Sequence, residues 1–243
     1  SNSRLTVTAG SSAHMAATAV REKVLRVAAD MLEAAETDLE IVGAEVRVRG
    51  SDLKVGLGDV TKAVAGTPGY RLPEGVTPGM EATEMLVIEE ETFASGSAVV
   101  EVEVDPETGK VDIVNYVMAQ DSGRILDREI AEGQLYGGIA HGIGNALFEW
   151  MRYDDDAQPI SATFAEYLLV TAPEVPTAEL ILHETPTPRN PLGVKGIGET
   201  GLMPTTSAVI SAIEDALSPF GVHLTRVPLT PPDILAAIAE STG

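Results

Sequence analysis

The stretch 128-REIAEGQLYGGIAHGIGNALFEW-150 decides how the rest of the chain is read. Ile130, Leu135, Ile139, Ile143, Ala146 and Leu147 repeat with a helical period, which predicts a helix over 128–150. The same helix holds five glycines, at 133, 137, 138, 142 and 144, each costing up to about 1 kcal/mol relative to alanine in a helix interior. A sequence that accepts this needs close backbone approach, either to another helix or to a ligand. Both readings are open at this point.

Upstream, two β-rich runs at 82–91 and 96–104 lead to 105-DPETGK-110, a hairpin turn signal, and to a return strand at 111–118. The segment 121-DSGRILD-127 then separates strand from helix. Downstream the pattern predicts a helix at 163–170, a strand at 178–184 and a helix at 205–217. The tail 227-VPLTPP-232 follows, before a last helical turn or two. Nearer the start, Met15, Val20, Val24, Val27, Ala28, Met31 and Leu32 mark an amphipathic helix over 13–35. A half-buried strand at 45–49 and a short helix at 56–65 come next. The stretch 67-TPGYRLPEGVTPGM-80, with three prolines and three glycines, reads as a crossover connection. The expected fold is α+β, with mixed α/β character: a first subdomain at 1–80 with the long helix and a second at 81–243 with the glycine-rich loops. Arg4 to Thr8 alternates like a strand cut from something longer, so a preceding segment is expected.

Sixteen basic against 37 acidic residues give a net charge of −21, which excludes nucleic acid and anionic membrane as natural partners. The clusters Glu89-Glu90-Glu91 and Asp154-Asp155-Asp156 read as solvated faces or turns. The absence of cysteine removes disulfides, thiolate-bound zinc, cluster ligation and thiol nucleophiles. No apolar run is long enough for a membrane span, and cytoplasm is the expected compartment. Histidines 14, 141, 183 and 223 lack the paired spacing of a metal site, so no residue is expected to ligate a metal. No G-x-S-x-G elbow is present, which leaves serine-hydrolase chemistry unsupported.

The densest local signal is 186-PTPRNPLGVKGIGETGLMPTTSA-208. Glycines 193, 196, 198 and 201 permit positive φ and expose successive N–H groups, and Pro204-Thr205-Thr206 looks like a helix start. Loop N–H donors and a helix N-terminus together suit an anion. Lys195 sits inside the glycines, unlike the lysine of a P-loop. Glu199 is an acid among glycines that no amphipathic pattern explains: either a surface glutamate or a general base held against a ligand. Two further places have paired readings. Gly133-Gln134 is either ordinary helix or an amide presented to a ligand edge. Gly10-Ser11-Ser12, just before the first helix, is either a cap or a phosphate grip.

Together, Gly10-Ser11, 101-EVEVDPETGKVDI-113, 121-DSGRILD-127, 133-GQLYGGIAHGIG-144, 193-GVKGIGETG-201 and 228-PLTP-231 resemble the C-terminal half of the molybdopterin-binding subunit of the xanthine dehydrogenase and aldehyde oxidase family. That family includes the large chains of aerobic carbon monoxide dehydrogenases. The motifs fall in the family's order over about residues 10 to 235. This chain has Ser12 where the family commonly has Arg, and Asp127-Arg128 where it commonly has Asn-Pro. The resemblance implies a molybdenum hydroxylase acting on an aldehyde, N-heterocycle or similar small molecule, with molybdenum held by the dithiolene of a molybdopterin in its cytosine dinucleotide form. It implies Glu199 as the general base at that centre, and Gly10, Ser11, Ser12, Gly133, Gln134, Lys195, Gly196 and Gly198 as cofactor-binding residues. It further implies iron–sulfur clusters and FAD on partner chains, and an N-terminal part of the molybdenum subunit that closes the site. The alternative it leaves is a non-catalytic module that holds cofactor or packs subunits.

Overall fold

The computed structural model describes residues 3–242, which form two compact units, residues 8–89 and residues 90–242 together with 3–7. In the first unit, α1 (Ser11–Leu32) is followed by β1 (Leu39–Val42), β2 (Glu45–Val48), β3 (Lys54–Gly56) and α2 (Leu57–Gly66). The strands form an antiparallel meander in the order β1-β2-β3. Val24, Val27 and Ala28 of α1 and Val60 and Val64 of α2 meet Leu39 and Val46 in one core. α1 ends at Glu33, whose left-handed backbone lets its N–H turn back to the carbonyls of Ala29 and Asp30. β1 and β3 are absent from the sequence expectation; Gly43 at φ +60° turns β1 into β2, and Gly50 at φ +74° lies in the connection from β2 to β3.

Two expectations at the start of this unit are corrected. Residues 4–8 are not a strand; Thr6–Gly10 is a π-helical turn running straight into α1. Gly10, Ser11 and Ser12 therefore do not form a loop ahead of the helix but carry its helical backbone, and no side chain caps it there. The proline- and glycine-rich stretch is packed down instead of crossing freely. Lys23 of α1 donates to the carbonyls of Gly79 and Glu81 at 3.0 Å each. Tyr70 donates to Asp30 at 2.8 Å, and burial first, then that carboxylate, raises its hydroxyl pKa to about 12. The run at 82–91 is extended but pairs with no strand. Its apolar Met85 and Val87 face solvent; the Leu86 N–H donates to the Ser12 hydroxyl at 3.0 Å, and Arg189 holds the end of the run through the Glu91 carbonyl and the Glu90 carboxylate.

The larger unit contains β4 (Ser95–Val104), β5 (Val111–Asp121), α3 (Arg128–Leu147), β6 (Glu179–His183), α4 (Leu202–Ala216) and α5 (Pro231–Thr242). β4 and β5 form the expected hairpin, and β6 adds parallel to β5 in the order β4-β5-β6. A bulge between Glu101 and Val102 shifts the register. Val111 and Ile113 before it, and Tyr116, Met118 and Gln120 after it, thereby face the same core although their parity differs. α3 and α4 cover that face, with Leu135, Ile139, Ile143, Val209 and Ile213 fully buried. Each such side chain stabilises the unit by roughly 1.5–3 kcal/mol.

α3 begins where Asp127, in extended conformation, accepts the Ile130 N–H at 3.0 Å. Its glycines divide by face. A Cβ on Gly138 would lie 2.7 Å from both Gly201 Cα and Leu202 N, and one on Gly142 would lie 2.4 Å from Thr205 Cβ. Those two glycines exist so that α4 can approach. Gly133 and Gly137, on the exposed side, would meet nothing within 4 Å, so helix packing explains part of the glycine content and leaves these two. The helix expected at 163–170 is a turn, whose Phe164, Leu168 and Leu169 are exposed with no element beneath them. α5 is a twelve-residue helix where one or two turns are expected. No helix among the described residues is long and apolar enough to cross a membrane.

Candidate cofactor loop and its carboxylate

The loop at 193–201 is built on the ends of β5 and β6. The buried Asn190 amide accepts the Val194 N–H at 3.1 Å and donates to the Val194 carbonyl at 2.8 Å, an Asx-type brace before Pro191. Gly193 takes φ +70°, and its carbonyl accepts from Arg124 at 2.9 Å. Val194 bridges Gly123 and the Lys195 N–H donates to the Ser122 carbonyl at 2.8 Å. Residues 193–195 are thus zipped to 122–124. A Cβ on Gly123 would sit 2.4 Å from the Gly193 carbonyl, so the contact needs glycine on that side.

The four loop glycines do different things. Gly193 uses positive φ; Gly198 and Gly201, expected to, do not. Gly201 is needed for close approach, because its Cβ would come 2.6 Å from the Leu135 carbonyl. Gly198 is exposed, yet a Cβ there would lie 2.7 Å from the Ser3 hydroxyl oxygen and 3.9 Å from the Gln134 amide nitrogen. The Gly193, Val194, Lys195 and Thr200 N–H groups are spent inside the protein. Among the described residues, those of Gly196, Ile197, Gly198 and Glu199 take no internal acceptor. Four successive N–H groups, Gly196 to Glu199, are therefore not used up inside the protein.

Glu199 stands at the end of that row. Its carbonyl accepts from Leu202 and Met203 at 3.2 Å each, which starts α4 three residues earlier than expected, with Pro204 inside the first turn. Its side chain is exposed and, among the described residues, carries no hydrogen bond or ion pair. The Gln134 amide, on the exposed side of α3, is likewise unengaged.

Lys195 is placed differently. Its ammonium donates to Asp121 Oδ2 at 3.0 Å and to the Thr185 hydroxyl at 2.8 Å. Asp121 also accepts from the Thr185 hydroxyl, from the Gly123 N–H at 2.8 Å and from the Thr185 N–H at 3.2 Å. Burial by itself would raise the Asp121 pKa, but these donors outweigh it and hold the carboxyl well below the usual carboxylate range. Sequence reading quoted Asp121 within a turn motif and missed this pairing; nothing in the sequence marks Thr185.

Gly133 and Gln134 lie within α3, in its second turn, instead of opening it. Gln134, Gly198 and Glu199 belong to the larger unit, where the Gln134 amide lies near Gly198, whereas Gly10, Ser11 and Ser12 belong to the smaller one. Ser11 is fully buried and its hydroxyl has no hydrogen-bond partner. Among the described residues no group of three His, Asp or Glu is arranged to hold a metal ion.

Residues 1–176 match the model of the molybdopterin cofactor-binding domain. Subunit gamma of the 6-hydroxypseudooxynicotine dehydrogenase complex of Paenarthrobacter nicotinovorans is 36% identical over 97% of this chain, which spans 29% of that relative. The crystal structure of Cu,Mo-CO dehydrogenase in its carbon monoxide reduced state superposes with a TM-score of 0.86 at 28% identity, over 98% of this chain and 30% of that one. Quinoline 2-oxidoreductase from Pseudomonas putida 86 gives a TM-score of 0.83 at 34% identity, over 92% and 28%. The chain thus spans under a third of the length of the relatives it matches, and it belongs to the molybdopterin cofactor-binding domain family.

Proposed function

We propose that this chain is the C-terminal cofactor-binding part of the large subunit of a molybdenum hydroxylase, with Glu199 as the general base. The observation that carries the reading is the row of N–H groups from Gly196 to Glu199, which take no acceptor among the described residues and end on a carboxylate likewise without a partner there, with the Gln134 amide near Gly198. The donor set fits a molybdopterin. With no cysteine and, among the described residues, no cluster arranged to hold a metal ion, this part of the site suits a metal carried on a pterin dithiolene. N–H and amide donors are what an oxygen- and phosphate-rich group needs. When bound, the molybdenum–pterin group supplies the oxygen-transfer and electron-accepting chemistry.

The chain's own residues bind, orient and move a proton. Gln134, Gly196 and Gly198 donate to the cofactor, and Gly133 and Gly137 leave α3 bare so that it approaches closely. Glu199 accepts the proton released when a small substrate is hydroxylated. With no partner of its own, its carboxylate is free to take that proton without breaking a structural bond. A module that merely holds cofactor gives no reason for such a residue. In the smaller unit the reading assigns Gly10, Ser11 and Ser12 to a phosphate, consistent with the buried, unpartnered Ser11 hydroxyl. The names of the quinoline and 6-hydroxypseudooxynicotine enzymes support an N-heterocycle as substrate class. The cytosine dinucleotide form of the cofactor, an N-terminal part of the same subunit, and iron–sulfur and FAD partner chains complete the proposal.

Gly133→Leu in the full-length subunit tests it. The site is open, so thermal stability should hold or rise. Molybdenum and pterin content should fall at least fivefold, read by metal analysis and pterin fluorescence. Full cofactor content in that variant would remove α3 from the cofactor site.

A further inference from the structure

We propose that Lys195 and Asp121 form an internal clasp that sets the position of the Glu199 carboxylate, so that Lys195 is a positioning residue and makes no contact with the cofactor. The inference rests on the reading of Glu199 as base and revises the expectation that Lys195 binds cofactor.

Three segments meet in the clasp: the end of β5 at Asp121, the residues after β6 at Thr185, and the loop at Lys195. The Lys195 and Asp121 side chains are only 15% and 14% exposed, so water and salt screen the pair weakly. The Asp121 carboxylate collects donors from all three segments, and the Lys195 ammonium is shared between that carboxylate and Thr185. On the backbone the same loop residue is tied to Ser122. Lys195 is therefore fixed at both its main chain and its side chain.

From Lys195 to Glu199 the chain runs through Gly196, Ile197 and Gly198, and two glycines in three residues give little stiffness of their own. The carboxylate is held by what lies at either end: the start of α4 on one side and the clasp on the other. Ile197, packed against the core, is the one side chain between them that anchors the run. Loosening the clasp lets the carboxylate drift, and a displacement near 1 Å is enough to slow a reaction about 10²-fold.

The experiment uses the complete complex with Asp121→Asn, Lys195→Met and the double variant, with Glu199→Gln alongside. Each single variant should lower kcat by about 10- to 100-fold with KM within about twofold. Each should keep its molybdenum and pterin, and deuterium uptake at the internally bonded loop amides of Val194, Lys195 and Thr200 should rise. The double variant should fall no further than the worse single one, because both changes open the same clasp. Should a single variant fold poorly, the double is expected to be more stable than it, since no buried charge is left unpaired.

Loss of molybdenum in Lys195→Met but not in Asp121→Asn would make Lys195 a cofactor ligand and overturn the clasp. So would multiplicative losses in the double variant, or unchanged deuterium uptake in the loop. Full turnover in Glu199→Gln would instead end the general-base reading, while deuterium uptake still reports whether the clasp orders the loop.

Discussion

Glu199→Gln in the assembled full-length enzyme is expected to lower kcat by about 10²- to 10⁴-fold, the range of a positioned general base. The amide keeps the shape of the side chain and removes its ability to take a proton. Because the Glu199 carboxylate holds no internal partner, the substitution breaks nothing in the fold, and melting temperature and molybdenum content should match wild type. kcat and kcat/KM should fall together, the signature of an interaction made only in the transition state. Steady-state kinetics on an N-heterocycle, normalised to molybdenum, provides the check, and turnover at the wild-type rate would leave the loop as a cofactor cradle without a base.

The second large effect concerns stability. Gly142→Val places a branched side chain where even a Cβ would lie 2.4 Å from Thr205 Cβ. Thr205 has nowhere to go: it is buried, its hydroxyl meets Tyr116 at 2.6 Å and donates to the Gly201 carbonyl at 2.5 Å. Gly138→Val meets the backbone of Gly201 and Leu202, which cannot swing aside like a side chain. Each is expected to destabilise by about 3 kcal/mol or more, the upper end for overpacking a core. For a unit of this size that is roughly a 6–12 °C fall in melting temperature. Gly137→Ala on the opposite face should be neutral or up to about 1 kcal/mol stabilising, from helix propensity alone. Thermal unfolding of the three variants separates the faces; equal losses at 137 and 142 would mean that glycine content, not contact with α4, governs the helix.

The sequence was most legible where local chemistry and tertiary packing agree. The hairpin at 105-DPETGK-110 carries its own turn signal, and the glycine-rich helix is found from its apolar period, with the Asp127 cap seen in the structure agreeing with it. Legibility failed where a propensity had nothing to pair with. Residues 82–91 are β-prone but no strand lies beside them, and residues 163–170 have a helical pattern with no surface to bury it. Residues 4–8 alternate, yet the backbone of α1 propagates back through them as a π-helical turn. Strand β1 was hidden because its hairpin rests on Gly43 and Ala44, a weaker signal than Asn-Gly.

At the candidate site the same distinction holds. Glu199 stands out as an acid that no periodicity explains, and Gln134 through its place among glycines on one helix. The partner of Lys195 is 74 residues away in sequence, so its pairing with Asp121 shows only when β5 and the loop are brought together. Likewise, no spacing rule assigns Gly138 and Gly142 to helix packing while leaving Gly133 and Gly137 open; that division depends on where α4 crosses.

The loop from Gly193 to Gly201 is proposed to form one wall of a molybdenum–pterin site. Metal and pterin analysis of the native full-length subunit, purified with its complex, tests it most directly. Close to one molybdenum and one pterin per large subunit are expected, retained in Glu199→Gln and lost in Gly133→Leu. An intact, folded complex that contains neither molybdenum nor pterin would contradict it.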